Sequence, residues 1–288
     1  MTNQVVVTGG SGKLGRACLT ELLEHGYAVT NVDAVRPHDD PCPFVRADLT
    51  DMGQTMEVLH QVDERYQSVD AVVHLAAIPA PGLLPGSELF RNNTMSAYNI
   101  FAAARHFGIR NVVFASSESL FGLPFDLPPT YLPLDEEYIP LPQSSYSLSK
   151  AVGEEMAKHF CRWDPLLKIA SLRFSNVMGV DDYAAFPSFE ADPARRKWNL
   201  WAYIDARDAA QAVRKALESS FTGAEVFIIA NADTVMSTPT AELVRQVYPH
   251  VPLRGELEGT ASLLAIDKAR RLLGYEPQHP WRSGLASP

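Results

Sequence analysis

Between a short β-branched run, QVVVT at 4–8, and a segment of helical period, LGRACLTELLEHG at 14–26, the chain reads TGGSGKLG, with Gly9, Gly12 and Gly15 spaced three and three apart. Glycines at a strand-to-helix junction permit a tight turn, let the backbone approach a pyrophosphate and let the helix pack closely on the strand. The helix start adds unpaired N–H groups and partial positive charge. A second strand, YAVTNVD at 27–33, ends on Asp33, 18 residues beyond Gly15, where a carboxylate can accept from an adenosine ribose and repel a 2′-phosphate. These features predict a dinucleotide site built from Gly9, Gly12, Lys13, Leu14, Gly15 and Asp33, with NAD favoured over NADP. Arg36 is read as facing solvent beside Asp39 and Asp40. Asp48, in ADLTD with Leu49 beside it, keeps two readings open: acceptor for an adenine amino group, or cap of the helix that follows.

The alternation continues through FVRAD (44–48), AVVHLA (71–76), NVVFASS (111–117), LKIASLRF (167–174) and EVFIIA (225–230). Helical segments at 52–66, about 88–107, about 145–160 and 209–218 lie between them. Such a series predicts an α/β fold with a doubly wound parallel sheet of six or seven strands. Past Arg173 the pattern loosens into a stretch rich in aromatics and prolines. The expected division is a dinucleotide-binding part over 1–174, carrying the catalytic residues, and a small substrate lobe over most of 175–288, with 205–230 returning a helix and a strand to the sheet.

A net charge of −9 leaves no basic stripe to neutralise phosphates, which argues against nucleic acid or an anionic membrane as partner and for a small molecule. Cys18, Cys42 and Cys161 are odd in number and lack a CxxC pair, which fits neither a disulfide framework nor a zinc cage. The expected setting is therefore a reducing cytoplasm, with no metal. No basic leader precedes the first strand and no apolar stretch approaches 18 residues, so neither export nor anchoring is expected.

Two stretches carry chemistry. Residues 115–122, ASSESLFG, close the fifth strand, and SSYSLSK at 144–150 puts Tyr146 and Lys150 at i and i+4 on one helix face. A free phenol, with a pKa of about 10, is a poor base at neutrality, and a nearby ammonium favours the phenolate. The lysine also suits a nicotinamide ribose.

With TGGSGKLG, HLAA (74–77), the NNT of 92–94, the serine cluster and this tyrosine–lysine pair, the chain resembles the extended short-chain dehydrogenase/reductase family of the epimerase/dehydratase type, over nearly its whole length. The resemblance implies a Rossmann fold, dinucleotide contacts from Leu75, Ala76 and Ala77, and a catalytic set of Ser117, Tyr146 and Lys150. It adds Asn93, the helix asparagine that holds a backbone kink or a water, and it assigns the hydroxyl to Ser117 because Gly122 follows five residues on. Ser116 then supports the strand end. The family's dehydratases carry an aspartate and a glutamate after the serine; here Glu118 and Ser119 stand there, so half the elimination pair is missing. Glu118 is read either as facing substrate or as orienting Lys150 or a loop.

Nucleotide-sugar members of that family carry a long insertion after the sixth strand, whereas about 25 residues separate Gly179 from Ile204 here. That brevity implies a compact substrate and a size nearest the uronate dehydrogenase-like members. The arginine expected to clamp a carboxylate is absent, since Ala184 follows Tyr183. The expected pocket wall comprises the loop 77–86 with Pro79, together with Ser175, Asn176, Met178, Phe189 and Trp201. The activity implied is NAD-dependent hydride transfer at a secondary alcohol or ketone of a small sugar, sugar acid or polyol. A nucleotide-sugar epimerase and a dinucleotide sensor without turnover stand as alternatives. A homodimer is expected through the helices at 88–107 and 145–160, with Phe101, Ala102, Met156 and Ala157 on their outer faces.

Overall fold

The computed structural model describes residues 4–39, 41–60 and 69–284; Asp40 and the 61–66 part of the helix expected over 52–66 lie outside the described residues. In chain order the first half runs β1 (Gln4–Thr8), α1 (Lys13–Glu24), β2 (Ala28–Asp33), β3 (Phe44–Arg46), α2 (Met52–His60), β4 (Ala71–His74), α3 (Gly86–Phe107) and β5 (Asn111–Ser117). The second half runs α4 (Ser145–Trp163), β6 (Lys168–Phe174), β7 (Val177–Met178), β8 (Ile204–Asp205), α5 (Ala206–Glu218), β9 (Gly223–Ile229), α6 (Thr240–Val247), α7 (Asp267–Leu273) and α8 (Trp281–Gly284).

Seven strands form one sheet in the order β3-β2-β1-β4-β5-β6-β9, and every pairing is parallel. Helices cover both faces, which is why the strands read as unbroken apolar runs. Side chains alternate between the two cores: Val5 and Val7 join α1 and α5 on one face, while Val6 joins α2, α3 and α4 on the other. The strand order reverses between β1 and β4, and a crevice opens there at the strands' carboxyl ends, where such sheets bind ligands.

Residues 175–205 leave the sheet after β6 and build the crevice's second wall from the β7–β8 pair and two short 3₁₀ segments at Val180–Phe189 and Pro193–Asn199. The chain then rejoins the sheet. Arg214 of α5 donates to Glu21 of α1 at 2.7 Å, and β9 pairs with β6 over its full length.

Phe101 and Ala157 are buried between their helices and the sheet, so they cannot form the outer contact expected of them. Helical period puts Met95, Tyr98, Leu148 and Trp163 on the exposed side instead, with Ala102 and Met156 half-buried. Among the described residues no helix is long and apolar enough to cross a membrane.

Candidate active site

A cleft of about 1590 Å³ runs along the carboxyl ends of the strands from the glycine loop to Trp198. At one end the loop after β1 folds tightly onto the end of β4. Gly9 has φ +74°, and a Cβ there would stand 2.6 Å from the Ala76 nitrogen. Gly15 is equally constrained, since its Cβ would meet the Gly9 carbonyl oxygen at 2.1 Å. Gly12 forms the N-cap of α1, with Lys13, Leu14 and Gly15 opening the helix beside it. Asp33 ends β2 and accepts from the backbone of Ser11 at 3.0 Å and of Val35 at 3.3 Å. Asp48 accepts from Thr50 N and Oγ1 at 2.9 and 2.8 Å, the local turn role, and still lines the cleft with Leu49, Leu75, Ala76 and Ala77.

Two buried residues that the sequence reading did not single out lock this end. Thr8 and His74 face each other in register on β1 and β4, with Thr8 Oγ1 and His74 Nδ1 2.7 Å apart, and Ala76 N donates to the same hydroxyl. Burial, with Lys150 adding to it, drives the His74 imidazole down to about 3, so it is neutral across physiological pH. Polar side chains at adjacent strand ends are the signal that could have found them.

At the other end β5 delivers Ser117. Its Oγ accepts from Ser119 N at 3.1 Å, capping the short 3₁₀ turn 118–121, and it lines the cleft together with Tyr146. Tyr146 lies in the first turn of α4, which a capping box between Ser144 and Ser147 fixes. One turn on, Lys150 Nζ donates to the Ala115 carbonyl at 2.7 Å and lies 5.7 Å from the centre of the Tyr146 ring. Burial lowers the Lys150 ammonium to about 8. The phenol of Tyr146 is not lowered as the motif suggests: burial pushes it up, the Ser117 hydrogen bond opposes this, and the Glu118 charge adds to it. The ammonium sits against the ring and a backbone carbonyl, so the expected shift is absent.

Glu118 is 5% exposed and lines the cleft. Ser175 Oγ donates to its Oε2 at 2.7 Å and Asn199 Nδ2 to its Oε1 at 3.3 Å. It therefore engages the second wall and does not orient Lys150. Burial lifts its carboxyl to about 7 against the opposing pull of Ser175, Asn199 and Arg196. Behind the site, Ser116 Oγ donates to Glu154 at 2.5 Å, and Arg173 donates to both Glu154 oxygens at 2.9 and 2.8 Å. At the cleft's flank Lys13 meets Asp182 of the second wall at 2.5 Å.

The chain matches the NAD-dependent epimerase/dehydratase family over residues 5–230. It belongs to that family. The UDP-glucose 4-epimerase of Mus musculus is 30% identical over 220 residues, which is 70% of this chain and 60% of that enzyme, so the chain spans about 60% of that relative's length. The Corynebacterium glutamicum enzyme of the same name is 26% identical over 310 residues, 96% of this chain and 91% of the relative. A solved UDP-galactose 4-epimerase superposes with a TM-score of 0.71 at 25% identity, over 98% of this chain and 96% of its own.

Of the family positions read from the sequence, the structure brings Ser117, Tyr146, Lys150, Glu118, Pro79, Ser175 and Asn176 to one cleft with the glycine loop and Asp33. Four positions fall outside it, among them Phe189, which is half-buried against the core beside Phe186. Asn93 lies behind the wall: its Oδ1 accepts from Ile78 N at 2.8 Å and its Nδ2 donates to Ile78 O at 3.0 Å, so it holds the loop 77–81 and touches no cleft space. Trp201 is fully buried. Left-handed backbone at Leu200 and Trp201 turns the indole inward, where Nε1 donates to the Pro193 carbonyl and the ring meets Tyr248, and Trp198 lines the cleft instead. Met178 follows Val177 on β7, and strand alternation sends it to the core side while Val177 lines the cleft.

Proposed function

We propose that the protein uses NAD to interconvert a secondary alcohol and a ketone on the sugar of a nucleotide sugar, with epimerisation as the net reaction. The observation that carries this is that Ser117 at the carboxyl end of β5, Tyr146 and Lys150 line the same cleft as the glycine loop. The residues present fit a dinucleotide: the backbone at Gly9 leaves no room for a Cβ, α1 starts at the loop, and Asp33 stands where a ribose would be read. The Asp33 carboxylate favours NAD over NADP by repelling a 2′-phosphate. The cleft exceeds the roughly 300–1,000 Å³ usual for one small ligand, leaving space for a second molecule.

Bound NAD supplies the hydride acceptor and donor. Tyr146 takes the proton of the substrate hydroxyl and returns it on reduction, acting as general base and then general acid. Ser117 holds the reacting oxygen, and Lys150, pinned by Ala115, presents its ammonium beside the tyrosine ring. The similarity to UDP-glucose 4-epimerases supports a nucleotide sugar over a sugar acid. One observation favours a net dehydrogenase on a free sugar as second reading: the short run from Gly179 to Ile204. A dinucleotide sensor would not need the retained Tyr146 and Lys150.

Incubation with UDP-glucose or UDP-galactose, followed by separation of the epimers and by absorbance of NADH, tests the reading. Epimer formation without NADH accumulation is the expected result. Stoichiometric NADH with free sugars supports the second reading, and a product lighter by one water removes both.

A further inference from the structure

Three acidic residues line the cleft, and they divide by position: Asp33 and Asp48 lie at the glycine-loop end, while Glu118 follows Ser117 directly at the catalytic end. It is the chain neighbour of Ser117 and lines the same cleft as Tyr146. An ionised carboxylate offers about four acceptor positions. Two are taken, Oε2 by Ser175 Oγ at 2.7 Å and Oε1 by Asn199 Nδ2 at 3.3 Å. Each oxygen keeps acceptor capacity, on a residue that lines the cleft.

Both donors are neutral. Arg196, the nearby cation, acts on Glu118 through space; its Nη2 donates to the Ala202 carbonyl at 3.2 Å and its Nε has no partner. Asn199 Oδ1 is likewise buried without a partner, so the patch around Glu118 retains unfilled hydrogen-bonding capacity. A hydroxyl donating to a buried carboxylate makes a charge-assisted bond, whereas a second carboxylate placed there meets a like charge in a low-dielectric site.

Resting on the reading of the Ser117–Tyr146 end as the hydride-transfer site, we propose that Glu118 is a specificity-determining residue: it accepts a hydrogen bond from a sugar hydroxyl beside the reacting carbon and rejects a carboxylate there. The substrate sugar is then neutral and hydroxylated, not a uronate. Ser175 and Asn199 act through Glu118, each holding one carboxylate oxygen and so fixing its orientation.

The test compares UDP-glucose with UDP-glucuronate on the NAD-loaded wild-type protein and on Glu118→Gln, measuring kcat and KM for each. Glu118→Gln keeps the shape and removes the charge. The wild-type protein is expected to prefer the neutral sugar by about tenfold or more in kcat/KM, the range of one charged hydrogen bond. The variant is expected to raise KM for UDP-glucose by roughly three- to tenfold with kcat nearly unchanged, and to narrow the preference over UDP-glucuronate. NAD titration of the variant by fluorescence checks that the site still folds; Glu118→Ala, which leaves space for a glucuronate carboxyl, gives a second measure of the ratio. If the wild-type protein turns over either sugar and both variants keep the wild-type neutral-to-acidic ratio, the assignment to Glu118 fails while the hydride-transfer reading stands. A wild-type protein inert toward both sugars overturns the nucleotide-sugar reading and this assignment with it.

Discussion

Glu118 carries a second consequence, for stability. Its folded carboxyl sits near 7 against an ordinary value of 4.5, a raised value, so the stability it contributes is fully present below about pH 4.5 and is lost as pH rises through about 7. Relative to Glu118→Gln, the wild-type protein is therefore penalised above neutrality by on the order of 3 kcal/mol. Thermal melts should show the variant clearly more stable at pH 8 and nearly equal at pH 5; equal differences at both would mean the carboxyl is not raised. Tyr146 gives the complementary case. Tyr146→Phe should leave dinucleotide binding nearly intact and lower kcat by roughly 10²–10⁴, measured by steady-state turnover. Both residues were legible in the sequence because their chemistry is local: Ser117 ends a strand with Glu118 directly after it, and Tyr146 and Lys150 are one turn apart on one helix. The tyrosine's environment was not legible, since burial and the neighbouring Glu118 outweigh the lysine expected to dominate. Trp201 was misread for a related reason. An aromatic near a pocket looks the same in sequence whether its backbone turns it outward or, as here, inward through left-handed residues.

Elements buried on both sides announced themselves. β1, β4, β5 and β6 are apolar runs between helical periods, and each appears within a few residues of its expected bounds. β7 and β8, two residues each, were not read, because they pair only when the second wall is in place and have no pattern of their own. The glycine loop is the element whose role and geometry agree most closely, and it yields a sharp expectation. Gly9→Ala forces a side chain into left-handed backbone and onto Ala76, so NAD affinity measured by fluorescence titration should fall at least about tenfold, with a loss of roughly 1–3 kcal/mol in melting experiments. A variant binding NAD as tightly as the wild type would mean that the loop relaxes away from β4. Asn93 belongs to the same scale: its two bonds to Ile78 set the loop 77–81, so it positions a wall from outside the cleft.

At the scale of the whole molecule, the outer side of α3 and α4 exposes Met95, Tyr98, Leu148 and Trp163, with Tyr98 40% and Trp163 47% exposed. A second copy of the chain is the partner expected there, and sedimentation velocity at micromolar concentration should give a dimer that Tyr98→Glu shifts toward monomer. The sequence reading put Phe101 and Ala157 on the outer faces of these helices and the structure turns both inward, because both helices carry apolar residues on both faces and only the sheet decides which face turns inward. The same architecture bears on how such a chain acquires new chemistry. β6 and β9 lie side by side along their full length, yet residues 175–222 run between them and include the second wall. That wall is an excursion anchored at both ends in a fixed register, so it can be lengthened, shortened or transplanted from a relative while the grip on the dinucleotide is inherited unchanged.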